Sequence, residues 1–328
     1  MAGDALRWRD KGLGEEVLPL GVVVDLWMAR YELQAAGALN ARTGRSIYEG
    51  VLVRSGAGFG CLHTWPELGD PTLEECLGDL AGERKLALVR RTMACVEADG
   101  AAREAGRSLF EGLEVPRSHA TLPVLNAAVL GEAVTRGFAQ VKVKAGRVVG
   151  KELSEIRRMM KVFPGLGWRI DFNEKAAAAE LLGEFKNWSQ EEMAGIDFLE
   201  DPVSYVGRDW AKLGRETGMA LANDRHVEED RGDSEVLIVK PAVNEMVQGE
   251  RVVVTSYMDH PLGQVFAAWE AARAGVTEVC GLQTHGLFTA NGFTEALGQV
   301  RPEFGVPEGA GLGFGDLLEE LPWMRLTV

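Results

Sequence analysis

Five residues at regular intervals carry side chains that could do chemistry together: Lys144, Asp171, Glu200, Asp224 and Lys240. Each closes a short apolar run, as in Val141-Lys142-Val143-Lys144, Arg169-Ile170-Asp171 and Asp197-Phe198-Leu199-Glu200. Ala220-Leu221-Ala222-Asn223-Asp224 and Val236-Leu237-Ile238-Val239-Lys240 repeat the pattern. Three carboxylates brought together repel unless a cation sits among them. Hard oxygen ligands that leave room for water and substrate suit Mg2+ better than zinc, with Mn2+ as an alternative. Lysines flanking such a metal would stand on opposite sides of a bound substrate.

Taken singly, each residue has a plainer reading. Period-2 alternation puts Lys142 and Lys144 on one strand face, and burying either ammonium is costly, so the pair reads as a solvated edge or as a site of amine chemistry. A lone acid after a strand reads as a loop carboxylate or a helix N-cap. Asp201 and Glu174, near the starts of following helices, fit that description. The order Lys, Asp, Glu, Asp, Lys over five successive strands does not.

The elements that must position these residues can be read from periodicity. Val17–Met28, Ile47–Arg54 and Phe59–His63 read as strands of an antiparallel meander, the last following the Gly-rich turn Ser55–Gly58. Asp70-Pro71-Thr72 opens a helix, and Leu86–Leu109 reads as one or two more. From Leu122 onward short apolar strands alternate with helical stretches. The strands are Leu122–Leu125, Val141–Lys144, Trp168–Phe172, Ile196–Leu199, Met219–Ala222, Val236–Val239, Val252–Thr255 and Val279–Leu282. Helices are expected at Lys151–Val162, Ala176–Trp188, Gly207–Thr217 and Leu262–Ala274. The fold class is therefore α/β: a (β/α)8-type, modified TIM barrel over residues 116–313, with an α+β capping domain over residues 1–115. An open doubly wound sheet fits less well, because no G-x-G-x-x-G turn follows a first strand. The stretches from Asp224 to Lys240 and from Lys240 to Val252 barely fit a crossover helix, so loops or single turns are expected there.

Composition narrows the partners. With 46% hydrophobic and 26% charged residues, the chain can bury a sizeable core. A net charge of −14 disfavours nucleic acid and anionic membranes, but not a small anion at a site whose sign is reversed locally. Cys61, Cys76, Cys95 and Cys280 form no C-x-x-C pair, so reduced thiols in a cytoplasm are expected. Val17–Ala29, interrupted by Asp25, is too short to span a bilayer.

Together, Lys142-x-Lys144, Asp171-x-Asn173, Glu200-Asp201-Pro202, Asp224 and Lys240 resemble the motifs of the enolase superfamily, muconate-lactonizing-enzyme subgroup. The resemblance covers nearly the whole chain and implies a C-terminal tail, residues 314–328, that returns to pack on the cap. It implies an essential Mg2+ on Asp171, Glu200 and Asp224, and removal of a proton α to a carboxylate to give an enediolate. Lys144 would be the acid/base and Lys240 would stand on the other face, with Lys142 and Asn173 in support. A carboxylate's α-proton is too weak an acid for an unaided amine, which is why positive charge at the carboxylate matters. Lys144 must be partly neutral, and Lys142 and the metal would both push its pKa down.

Specificity rests on fewer residues. No Gly-Gly pair follows Lys240, unlike in many epimerases of the subgroup. Thr255–Gly263 resembles the Ser-Ser-x-x-Glu-Ser-x-x-Gly segment of the o-succinylbenzoate synthases. That resemblance implies a small anionic dicarboxylate substrate, a cyclohexadiene dehydrated to 2-succinylbenzoate in menaquinone biosynthesis. The expected substrate contacts are Arg42 and Arg45 in one cap loop, Thr64 in the other, and Ser256 and Gly281 with their neighbouring backbone N–H groups. His63, His260 and His285 read as lining or structural residues. The alternative is an N-acyl amino acid racemase or dipeptide epimerase using both lysines as bases. The sequence assigns no oligomeric state.

Overall fold

A computed structural model describes residues 25–37, 39, 45–230, 232–249 and 251–327. Strands β1 (Leu26–Gln34), β2 (Ile47–Ser55) and β3 (Gly58–His63) form the expected antiparallel meander. Of the strand expected over 17–28, residues 17–24 lie outside the described residues, and β1 runs past Met28 to Gln34. Leu26, Ala29 and Leu33 of β1 are buried while its polar residues face out, a half-buried pattern less conspicuous than the apolar run before it. Thr72 caps α1 (Leu73–Ala81) in a capping box: Glu75 N donates to Thr72 Oγ1 at 3.3 Å, and Thr72 N donates to Glu75 Oε2 at 2.7 Å. Helix α2 (Ala87–Glu104) lies close on β3 because that strand offers bare Cα atoms. A Cβ at Gly58 would sit 2.0 Å from Val96 O, and one at Gly60 would sit 2.6 Å from Thr92 O.

The second sheet is parallel and seven-stranded. Its strands are β4 (Ala120–Leu122), β5 (Gln140–Lys144), β6 (Gly167–Asp171), β7 (Ile196–Glu200), β8 (Leu221–Asn223), β9 (Val236–Val239) and β10 (Arg251–Val254). Helices α3 (Ala127–Thr135), α4 (Val149–Val162), α5 (Ala178–Phe185), α6 (Gln190–Ala194) and α7 (Gly207–Thr217) occupy the connections up to β8. The helix expected over 176–188 is present as α5 alone, and α6 is an additional short helix beyond it, which Ser189 starts in a second capping box with Glu192. Among the described residues no helix connects β8 to β9 or β9 to β10, as the short spacings predict.

The sheet curls, and its edges are joined by Cys280 and Gly281. His119 N donates to Cys280 O at 2.8 Å, and Cys280 N donates to Arg117 O at 2.7 Å. On the other side Gly281 N donates to Val254 O at 2.8 Å, and Ser256 N donates to Gly281 O at 3.0 Å. The strand expected at Val279–Leu282 is thus present as two parallel bridges rather than a full ladder.

Outward residues of the parallel strands meet the helices. Val141 and Val143 are buried in one cluster with Leu153, Ile156 and Met159 of α4, which leaves Lys142 and Lys144 on the inner face. Helix α8 (Pro261–Arg273) is almost wholly buried. It shares a core with Leu52 and Phe59 of the first sheet, and Arg91 of α2 pairs with Glu270 at 2.5 Å. Past α9 (Gly292–Leu297) and α10 (Gly315–Glu319), β11 (Met324–Arg325) pairs antiparallel with β1, Trp27 opposite Arg325. Asp99 of α2 accepts from Phe59 N at 2.9 Å, Leu312 N at 2.6 Å and Arg103 Nε at 2.6 Å, joining β3, α2 and the tail at one buried carboxylate.

Candidate active site

Parallel register aligns the chemistry. Lys144 is the register partner of Asp171, and Asp171 of Glu200, so the three end adjacent strands side by side. Asp224 follows β8 and Lys240 follows β9. All except Glu200 line one cavity of about 330 Å3, together with Lys142 and Asn173. Two lysines act as counter-ions to the acids. Lys142 Nζ lies 2.6 Å from Glu200 Oε1 and 3.2 Å from Asp171 Oδ2, and Lys240 Nζ lies 2.6 Å from Asp224 Oδ2.

The electrostatics follow from burial and crowding. Burial, aided by the charges of Asp171 and Asp224, pushes the Glu200 carboxyl up to about 7, with Lys142 opposing. Burial would also raise Asp171, but Lys142 and Lys144 outweigh it and hold that carboxyl low. For Lys142 burial works against the charge, yet the surrounding acids prevail and its pKa is raised. Lys144 opens onto the cavity, and desolvation by the enclosing protein lowers its pKa. Lys142 and Lys240 add to that effect, while Asp171 and Glu200 oppose it. The expected direction is present, with desolvation rather than Lys142 as its leading cause.

Asn173 supports Asp171. With φ at 50°, its backbone N and Nδ2 both donate to Asp171 Oδ1, at 3.0 and 2.8 Å. Asp201 departs from expectation. It is not a solvated loop acid: it is 1% exposed, with φ at 40°, and neither it nor Glu174 caps a helix. Carboxylate oxygens of Glu200, Asp201 and Asp224 lie within 4.8 Å of one another, a grouping that holds Asp201 where Asp171 was expected. Arg225, which the sequence reading passed over, ties the strand ends together. Its Nη2 donates to Asn173 Oδ1 at 2.9 Å and its Nε lies 3.5 Å from Asp201 Oδ2.

The acids fit a hard divalent cation. Asp224 Oδ1 is buried without a hydrogen-bond partner, and the donor set is all carboxylate oxygen.

The expected substrate contacts divide. Ser256 and Gly281 line the cavity. Their backbone N–H groups cannot anchor a ligand, because both are engaged in joining the sheet edges. Arg42 lies outside the described residues. Arg45 pairs with Glu67 at 2.5 Å and lies over the Tyr48 ring, and neither it nor the buried Thr64 lines the cavity. The cap reaches the site through Leu39 and Leu68, which line the cavity, and is tied to it by Tyr257: Trp65 Nε1 donates to Tyr257 O at 2.8 Å, and Tyr257 OH donates to Asp70 Oδ2 at 2.8 Å.

The three histidines are structural. Burial pushes His63 and His260 down to about 3. His63 Nδ1 bonds Tyr31 OH at 2.9 Å, and His260 Nδ1 accepts from Leu262 N at the start of α8. His285 Nε2 lies 3.1 Å from Gly298 O. The histidine that does line the cavity is His119, which went unread in the sequence. Its signal was available: it shares an inward strand face with Thr121, two residues on.

The antiparallel cap and the curled parallel sheet are similar in fold to solved proteins of the enolase superfamily. A member of that superfamily from Listeria innocua is similar in structure, with a TM-score of 0.75 at 16% identity, covering 93% of this chain and 99% of that one. A dipeptide epimerase from Cytophaga hutchinsonii, solved with Mg and the dipeptide D-Ala-L-Val, gives a TM-score of 0.72 at 17% identity, covering 93% of this chain and 99% of that one. In sequence the chain resembles the o-succinylbenzoate synthases. Residues 26–102 match the family model of the O-succinylbenzoate synthase N-terminal domain. The o-succinylbenzoate synthase of Bdellovibrio bacteriovorus is 29% identical over 323 residues, covering 91% of this chain and 97% of that protein. Among the described residues no helix is long and apolar enough to cross a membrane.

Proposed function

We propose that the chain is an o-succinylbenzoate synthase that dehydrates a cyclohexadiene dicarboxylate to 2-succinylbenzoate, a step of menaquinone biosynthesis. The likeness to the Bdellovibrio enzyme over most of both chains supports this reading. The observation that carries it is the asymmetry of the two lysines. Lys240 is ion-paired with Asp224, whereas Lys144 makes no ion pair among the described residues and donates only to Leu39 O, at 3.3 Å.

Mg2+ held by Asp171, Glu200 and Asp224, with Mn2+ as an alternative, would supply positive charge at the substrate carboxylate as the α-proton leaves. Lys144, as the free amine, takes the ring proton α to that carboxylate. The resulting ammonium stays on the same face and returns the proton to the departing hydroxyl, so the elimination is syn and water leaves. Aromatisation supplies driving force. Lys240 transfers no proton; it places a positive charge near the ring that becomes aromatic. Lys142 keeps Asp171 and Glu200 in place, and Asn173 orients Asp171.

A racemase or epimerase acting on N-acylated amino acids is the second reading, favoured by the presence of both lysines on one cavity. The deciding experiment is a direct assay with the cyclohexadiene dicarboxylate, with and without Mg2+, following loss of diene absorbance. Absence of turnover by folded, metal-loaded protein would sink the synthase reading. Deuterium wash-in on N-acyl amino acids would then test the second.

A further inference from the structure

Across the cavity from the acids, the wall is built from the strand ends of β4 and β10 and from Gly281 between them. The backbone donors of Ser256 and Gly281 are engaged there, so side chains must supply any polar contact with a ligand. Ser256 Oγ and Thr284 Oγ1 bond each other at 2.9 Å. Beside Thr121, which lines the same wall, His119 and Thr255 remain, 4% and 9% exposed.

Both side chains rest on the bare Cα of Gly281. A Cβ there would lie 2.8 Å from His119 Cε1 and 2.9 Å from Thr255 Cγ2. Thr255 Oγ1 is buried without a hydrogen-bond partner. The imidazole is held from its other side, with Arg169 Nη1 2.9 Å from His119 Nδ1. A guanidinium can only donate, so Nδ1 accepts and the ring proton resides on Nε2. Arg169 is itself immobilised: fully buried, its Nε bonds Asp197 Oδ2 at 2.7 Å and its Nη1 bonds Val279 O at 2.6 Å. Its guanidinium also lies over the Phe198 ring. Burial, reinforced by Arg169 and Lys142, holds His119 well below the ordinary histidine range, so the ring is neutral.

We propose that His119 Nε2–H, with the Thr255 hydroxyl beside it, contacts an oxygen acceptor on the substrate arm that points away from the acids, and that Arg169 is its positioning residue. Under the synthase reading, on which this assignment of the arm rests, that acceptor is a ketone or carboxylate oxygen of the succinyl chain. A buried neutral donor selects for an oxygen-bearing arm, because a hydrocarbon arm would leave it unpaired.

The test uses the full chain, 15N-labelled and loaded with Mg2+. The His119 ring should give the neutral Nε2–H signature across neutral pH, lost in His119→Gln. 2-Succinylbenzoate should shift that signal and benzoate should not. In calorimetry, His119→Phe should weaken 2-succinylbenzoate about tenfold while leaving benzoate unchanged, and His119→Gln, whose amide can donate from a similar place, should recover most of the loss. An Nδ1–H or doubly protonated ring, or an equal loss for both ligands, overturns the proposal. Should His119→Phe fail to fold, the tautomer and its ligand-dependent shift in the wild-type chain decide. A chain that fails the dehydratase assay yet shows the same shift with N-succinyl amino acids loses the synthase reading and keeps this one.

Discussion

Lys240 Nζ lies 2.6 Å from Asp224 Oδ2, so the lysine ending one strand is paired with the acid ending the strand before it. Lys144, across the cavity, has no such partner among the described residues. Under the proposed synthase reading, this difference fits one base and one static charge. Lys240→Ala should lower dehydration by a factor on the order of 100 or more, within the usual range for a charged group at a reacting centre. It should leave solvent exchange of the substrate α-proton measurable by NMR. Loss of exchange together with turnover would show that Lys240 is also a base.

Lys144 should set the acidic limb of the pH profile. Its free-amine form is the active one, and desolvation lowers its pKa. The rate limb reporting it should therefore rise with pH and level off below the ordinary lysine value near 10.4. Lys144→Ala should reduce kcat by a factor of roughly 100 to 10,000 and remove that limb from the pH profile. Survival of the limb in the variant would assign it to another group.

Removal of metal should stop turnover and added Mg2+ should restore it. The acids crowd one another, and Asp224 Oδ1 is buried without a partner. A cation that binds only the folded chain should raise Tm with the logarithm of the ligand excess, adding about 2.7 kcal/mol of stability at 100 times Kd. Asp224→Asn should abolish most of that gain in a thermal melt. An unchanged metal-dependent rise would place the cation elsewhere.

Asp99 offers a test of the tail's attachment. It is fully buried and receives hydrogen bonds from Phe59 N, Leu312 N and Arg103. Asp99→Ala leaves buried donors from three segments unpaired, which costs about 3 kcal/mol. Chemical denaturation should show the midpoint fall, and hydrogen exchange should rise first at Phe59 and Leu312. Loss of stability without that local signature would point to a general packing defect.

Much of the architecture was legible because it rests on local periodicity. Val141 and Val143 alternate with Lys142 and Lys144, and the alternation alone sends the valines to α4 and the lysines inward. The missing helices between β8 and β10 followed from chain length. The cap strand β1 runs past its expected end at Met28 to Gln34, because its half-buried alternation is a weaker signal than the apolar run preceding it. Asp201 was misread for a related reason: an acid near a strand end looks the same in sequence whether water or protein surrounds it.

By itself, the sequence determined which residue types end which strands, and hence that acids and lysines arrive at one end of a parallel sheet. Only the tertiary structure decided which of them share a cavity and what else does. Curling of the sheet onto Cys280 and Gly281 engages the Ser256 and Gly281 N–H groups that were expected to hold a ligand. It also brings His119 beside Thr255, far away in the chain, and sets Arg169 behind it. Arg45 is drawn to Glu67 rather than to the site. Alternation is a property of a few neighbouring bonds. Burial, ion pairing and the choice of hydrogen-bond partner depend on segments that meet only when the sheet closes.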